Sequence, residues 1–326
     1  MTASHTLRWS HGEAKVLATA AMLDSCVFQL PTGPFTPFAR APWMGTVTDR
    51  SIIGHLRELG GDFVGIPFGA GGPMPGAAPE WADLATQPRL HPIHGPSGDS
   101  DWTITSTSPN SVTLSLDYAP ESPVLRLERT ITGREGQAAI DFTLRIHARR
   151  AATLSLGLHP NFRLPEAAGR LQLNADFAFG VVHPGFADHQ RPDFQNLEAV
   201  PTRDGGTVDF SHVPLTAHKN FLVQLCGMRG PLTGTYLDEG TGFELDWDRS
   251  LVPSLHIWHT DRGVGGEPWN NQFRGIGLEP LASAFDLHTD VSAGPNPINR
   301  RGVATAISID PARPLDIHHA VRAFTN

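Results

Sequence analysis

The chain has 326 residues, 18% of them charged and 40% hydrophobic, and a formal net charge of −8. That hydrophobic content supports a buried core and excludes a disordered chain. A mildly acidic balance, with 25 Lys and Arg against 33 Asp and Glu and no basic cluster, argues against nucleic acid and anionic membranes as partners.

The 33 glycines and 28 prolines, nearly a fifth of the chain, follow no G-X-Y period, which excludes collagen. No apolar run approaches the roughly 18 residues of a membrane helix. The opening MTASHTLRWSHGEAK has no basic segment followed by an apolar one, so a cytoplasmic location is expected. Cys26 and Cys226 form no CxxC pair and read as two reduced core thiols.

In chain order, residues 28–47 are rich in Pro and Gly and read as a long loop. SIIGHLREL (51–59) is the best short helix, ended by Gly60 and Gly61, and PEWADLA (79–85) is a second candidate. Residues 65–80 read as another long loop, whose GAGGPMPGAA stretch lacks the Lys-Ser/Thr of a phosphate cradle. From residue 112 onward the period is two. Val112, Leu114, Leu116 and Tyr118 alternate with polar residues; Leu125, Leu127 and Ile131 share a parity; Ile140, Phe142, Leu144 and Ile146 alternate again. TGREG between the last two runs predicts a hairpin loop. LSLGLH (154–159), LQLNADFAF (171–179), FLVQL (221–225), FELDW (243–247), LHIWH (255–259) and ATAISI (304–309) also read as strands. Many short strands separated by Gly and Pro predict an all-β fold, a large antiparallel β-sandwich with few short helices, over one domain spanning 1–326.

Two strands carry a titratable residue beside a glycine. In LSLGLHPNFRLP (154–165), Leu154, Leu156 and Leu158 share one face, and Ser155, Gly157 and His159 the other, before Pro160. In FRGIGLEP (273–280), Ile276 and Leu278 oppose Gly275, Gly277 and Glu279, before Pro280. The pattern predicts open space at Gly157 and Gly277 and strand ends at the two prolines, an arrangement suited to a ligand across a sheet. His91/His94 and His256/His259 both have H-x2-H spacing, but residues three apart on a strand face opposite ways and no third ligand is indicated, so no metal is expected. Trp258 shares a face with His256; it and Trp102, Trp247 and Trp269 are candidate apolar platforms for a sugar ring. His183, His189, His212, His288, His318 and His319 show no usable arrangement.

Taken together, HGPSGDSDW (94–102), GLHPNFRLP (157–165), PTRDGGTVDFS (201–211), FELDWDRSLVPSLHIWHT (243–260) and GIGLEP (275–280) resemble, in order, the motifs of the aldose 1-epimerase (galactose mutarotase) family, over roughly residues 60 to 290. The resemblance implies a β-supersandwich with a small-molecule sugar in an open cleft and no cofactor. It implies Glu279 as general base on the anomeric hydroxyl, His159 as general acid on the ring oxygen and His94 assisting. Trp258, Trp102, Asn161 and Asp209 become candidate sugar contacts. The chain departs from the family in two places. GGDFVGIPFGAGG (60–72) lacks the sugar-gripping Asn-Arg pair, and AHKNFLVQL (217–225) offers His218, Lys219 and Asn220 where an Asp-His is usual, which makes Lys219 a further candidate contact. A non-catalytic carbohydrate-binding protein is the alternative. A glycosidase would need a second carboxylate beside Glu279, with Asp99, Asp101, Asp246 and Glu267 as positional guesses.

Overall fold

A computed structural model describes residues 2–187 and 192–326, so His189 lies outside the described residues. The chain is all-β, built from antiparallel sheets with three helices of four or five residues among the described residues. The largest sheet has nine strands, with Thr241–Trp247, Leu315–Thr325, Ala139–Ala148 and Val124–Gly133 adjacent at its middle. A second has eight strands, with Asn220–Cys226, Ser254–Asp261 and Arg274–Ala282 adjacent at its centre. A four-stranded sheet of Ser4–Trp9, Gly12–Leu17, Leu23–Leu30 and Gly33–Phe35 adds to these; the first part of the 28–47 loop is therefore strand.

Period-two alternation explains how the two large sheets meet. Leu255, Ile257, Ile276 and Leu278 join Phe142, Leu144, Phe243, Leu245 and Val321 in one hydrophobic cluster. Phe162, from the short strand Asn161–Arg163, stacks on Phe243 of the other sheet at 3.8 Å between centroids. A second, smaller cluster lies on the opposite face of the eight-stranded sheet, where Leu17, Trp43, Leu59, Phe63 and Phe273 pack together. The central strand Arg274–Ala282 is thus covered on both faces and buried from Gly275 to Ala282. Both cysteines are buried, and burial pushes their thiols up, Cys226 to about 12.

Several sequence expectations change. The 51–59 helix shrinks to Gly54–Arg57, and residues 79–85 give only the 3₁₀ turn Pro79–Trp81; neither segment has enough turns to hold a helix without tertiary support. Residues 154–159 are not one strand: Ala152–Leu154 pairs with Ile307–Ile309, while Leu156–Leu158 joins the eight-stranded sheet. A bulge between Val124 and Arg126 shifts parity within the strand Val124–Gly133, so Leu125 is 42% exposed while Val124, Leu127 and Ile131 lie in the core. Pro280 does not end its strand, which runs on to Ala282. Leu278, of the same parity, donates to Pro160 O at 2.9 Å, so the side on which Pro280 lacks a donor is where Leu156–Leu158 gives way to Asn161–Arg163.

The parity of Leu127 and Ile131 also places an arginine in the core. Arg129 is 1% exposed and contacts Asp62 at 3.1 Å (Nη2 to Oδ2), and its other terminal nitrogen donates to Ala21 O at 2.9 Å. His319 reaches the same Asp62 oxygen at 2.6 Å and stacks on Phe142 at 4.3 Å. Removing one member of a buried ionic group strands the others. Arg129→Met is therefore expected to lower unfolding stability by about 3–5 kcal/mol, while the double variant Arg129→Met/Asp62→Leu recovers part of that loss; urea denaturation of both measures it.

Candidate active site

The second face of the eight-stranded sheet carries the chemistry. His256 and Glu279 are directly opposed in register, as are Trp258 and Gly277. Opposed residues in antiparallel strands share a face, so all four look away from the leucine core. Asn220–Cys226 adds Leu222 opposite Trp258. Covering segments bring Leu59, Phe63 and His94 over this face, and together they enclose a cavity of about 190 Å³, sized for a small ligand. A wider cleft of about 690 Å³ elsewhere holds Asp193 and Arg301 already paired at 2.6 Å and no imidazole.

The two glycines differ from expectation. A Cβ on Gly157 would lie 2.2 Å from the Phe68 ring, so that space is filled by an aromatic side chain and is not open to a ligand. A Cβ on Gly277 would lie 2.4 Å from Glu279 Oε1: the missing side chain makes room for the carboxylate to fold back along its own strand.

Glu279 is 2% exposed and sits between two imidazoles. His256 Nδ1 donates to Oε2 at 3.0 Å, and His159 Nε2 lies 3.3 Å from Oε1. His159 is fixed from behind by its own N–H to Phe63 O (2.9 Å) and by ring stacking on Phe63 at 4.3 Å. His55 stacks on the other neighbour of this group, 4.7 Å from the Phe63 ring, and lies 5.2 Å from His94. His94 is a non-glycine residue at φ +59°, and Gly69 N donates to its Nδ1 at 3.3 Å. An amide only donates, so in the neutral ring the proton of His94 is on Nε2. His55 is the reverse: its Nδ1 faces Gly98 O at 3.1 Å and carries the proton.

The wall opposite is aromatic. Trp258 stacks on Phe273 at 5.9 Å, meets Trp269 edge-on at 5.5 Å, and donates from Nε1 to Asn220 Oδ1 at 2.9 Å. Asp286 also lines the cavity. His183 holds it by Nε2 at 3.0 Å, and Gly185 N donates to the other nitrogen of that ring at 3.2 Å, which fixes Nε2 as the donor. Asp286 and His183 carried no signal in the sequence, because only the turn through Phe285 (φ +51°), clamped by Gln224 at 2.7 Å, brings them here.

Of the residues singled out in the sequence, Glu279, His159, His94 and Trp258 converge on this cavity, together with His256 and Trp269. Trp102, Asn161, Asp209, Lys219 and Trp247 do not line it. Trp102 is a core residue donating to Ser97 O at 3.1 Å. Asn161 shares the sheet face, but its amide donates to Gly60 O at 2.9 Å and His159 O at 3.2 Å, supporting the backbone beside His159. Asp209 accepts from Ser211 N at 2.8 Å in an exposed turn. Lys219 precedes the Asn220–Cys226 strand and is exposed. His259, three residues beyond His256, points away and accepts from Leu215 N at 3.2 Å.

Burial sets most of the proton affinities. It lowers His55 to about 3, with His159 nearby adding to the effect, and lowers His259 to about 4. It also holds His94 well below its ordinary value, reinforced by His55, and lowers His159 despite the opposing pull of Glu279. His256 goes the other way: burial disfavours its charge, but the Glu279 carboxylate outweighs that and raises it. Asp286 is likewise buried against its charge, yet the hydrogen bond from His183 and the surrounding imidazoles keep it below the carboxylate range. Four imidazoles are therefore neutral when folded and take up protons on unfolding once the pH falls below about 6.5. Their contribution is undiminished above that pH and is lost as pH drops towards their folded values. His256 contributes oppositely, stabilising at low pH and losing that as pH rises through its folded value. With four groups against one, the melting temperature is expected to fall by several degrees between pH 7 and pH 5, which calorimetry at the two values will measure.

No protein-family model and no curated protein matches this chain in sequence. Solved structures do match it in shape. A candidate aldose 1-epimerase from Escherichia coli K12 superposes with a TM-score of 0.66 at 14% identity, covering 100% of both chains. An aldose epimerase homologue from C. elegans gives 0.65 at 15% identity over 99% of each chain. A galactose mutarotase-like protein from Clostridium acetobutylicum gives 0.64 at 12% identity over 100% of this chain and 96% of the other. Its antiparallel sheets and these whole-length superpositions give the chain the galactose mutarotase-like fold.

Proposed function

We propose that the protein is an aldose 1-epimerase, interconverting the α and β anomers of a small sugar. The observation that carries this reading is the buried Glu279 carboxylate within 3.3 Å of His159 in a cavity walled by Trp258 and Trp269. Mutarotation moves two protons about one ring. Glu279 takes the proton of the anomeric hydroxyl while the protonated form of His159, which the Glu279 carboxylate favours against the effect of burial, gives its proton to the ring oxygen, and the C1–O5 bond breaks to leave the aldehyde. Rotation about C1–C2 presents the other carbonyl face. Closure reverses both transfers, with Glu279 returning its proton to O1 and His159 recovering its own from O5. His94, with its proton on Nε2, donates a hydrogen bond to the sugar. The aromatic wall receives the C–H face of the ring.

Glu279→Gln preserves the shape and an acceptor for His256 but removes the base. It is expected to slow mutarotation at least about 100-fold while leaving the melting temperature within a few degrees. Polarimetry of freshly dissolved aldoses measures the rate, and catalysis at the wild-type rate would remove Glu279 from the mechanism. A second reading has its own motive: among the described residues no Arg or Lys lines the cavity where the family's sugar-gripping cation is expected. Calorimetry that detects sugar binding by a protein unable to accelerate mutarotation would select a non-catalytic carbohydrate-binding protein.

A further inference from the structure

We propose that His256 is a further catalytic residue: its Nε2 hydrogen-bonds the sugar while its Nδ1–H holds and supports the neighbouring Glu279 carboxylate. The inference rests on the epimerase reading for the reaction it serves, and its grounds are independent of the motifs that suggested Glu279 and His159.

The first ground is register. His256 and Glu279 are paired across two central strands, both 2% exposed, with Nδ1 3.0 Å from Oε2. A carboxylate only accepts, so Nδ1 carries a proton in every state of the pair. The second ground is the other ring nitrogen. His256 lines the cavity, and its Nε2 is buried without a hydrogen-bond partner among the described residues. Leaving a buried polar atom unpaired costs about 1–3 kcal/mol, and native structures seldom tolerate it away from sites of function. A hydroxyl of a bound sugar would complete the ring's hydrogen bonding.

The third ground is the surrounding charge. The ionisable groups facing the pair are His159 on the adjoining segment, His94 and His55 on the covering loops, and Asp286 on the loop beyond the strand. No guanidinium or ammonium is among them within the described residues. Burial lowers the proton affinity of His55, His94 and His159, whereas the carboxylate raises that of His256. Two imidazoles touching one carboxylate are thus pushed apart in proton affinity, and a pair of neighbours separated in this way divides the work. His256, the more basic of the two, supports Glu279, and His159 is the group that exchanges a proton with the ring oxygen.

His256→Gln tests this, since glutamine can still donate to Glu279 but carries no charge. Loss of an adjacent cation raises a carboxyl pKa, so the acidic limb of the kcat/KM profile, where the base is lost to protonation, should move to higher pH by about one unit or more. KM should rise as the Nε2 contact is lost. A slower enzyme with an unmoved acidic limb would reduce His256 to packing and overturn the proposal, while the epimerase reading stands. NMR titration of the His256 ring in wild-type protein and in Glu279→Gln supplies a readout that needs no turnover. A ring pKa that drops by about one unit or more in the variant supports the coupling, and an unchanged value overturns it. A wild-type protein that anomerises no aldose overturns the epimerase reading and with it the catalytic role of His256, whatever the titration gives.

Discussion

The site depends on a charge buried far from it in sequence. Asp62 has no solvent to satisfy its carboxylate, so it is held by Arg129 and His319, both from the nine-stranded sheet. That attachment fixes the stretch Gly61–Gly65 between the two large sheets. The same stretch then positions the cavity side: Gly61 O accepts from Asn161 N at 2.8 Å, Phe63 O accepts from His159 N at 2.9 Å, and the Phe63 ring lies against His159. A buried ion pair is a poor source of net stability, because desolvation offsets its attraction. Its contribution here is geometric: the 61–65 segment must sit where Asp62 meets both Arg129 and His319.

The eight-stranded sheet serves two purposes through one period. Odd and even residues of Arg274–Ala282 and Ser254–Asp261 go to opposite faces, the aliphatic set into the inter-sheet core and the polar set beneath the covering loops. Because those loops bury the polar face, His55, His94 and His159 lose water and lose basicity with it, while the Glu279 carboxylate reverses the effect for His256. The backbone then chooses which nitrogen each neutral ring offers. Gly69 N makes His94 a donor at Nε2, while Gly98 O claims the Nδ1 proton of His55. One sheet face therefore presents both donors and acceptors, with no cation from Arg or Lys in the cavity wall among the described residues.

Much of this was legible in local pattern. Strand period placed Glu279 and His159 away from the leucines, and the same parity put Trp258 with His256. Long-range facts were not legible. Nothing near Gly157 announces that Phe68, almost ninety positions earlier, fills its space. Arg129 shares the parity of Leu127 and Ile131, but nothing near it announces Asp62 as the partner that lets a guanidinium be buried there. Asp286 and His183 meet only through tertiary folding. Asp209 and Lys219 were drawn in by motif likeness and proximity to a strand, features that do not say which way a loop turns. The imidazole of His256 suggested a metal through its spacing with His259, whereas its partner is the residue directly across the sheet.

The two native cysteines open a practical route. Cys26 and Cys226 are buried with raised thiol pKa values, so neither supplies thiolate at neutral pH. A single cysteine installed on the surface would be the only thiol open to alkylation, with no need to strip the native pair. Exposed Glu267 lies two residues from Trp269 in the aromatic wall. A fluorophore attached there would sit beside the tryptophans at the cavity, so that occupancy could be followed by energy transfer in the unmodified remainder of the protein.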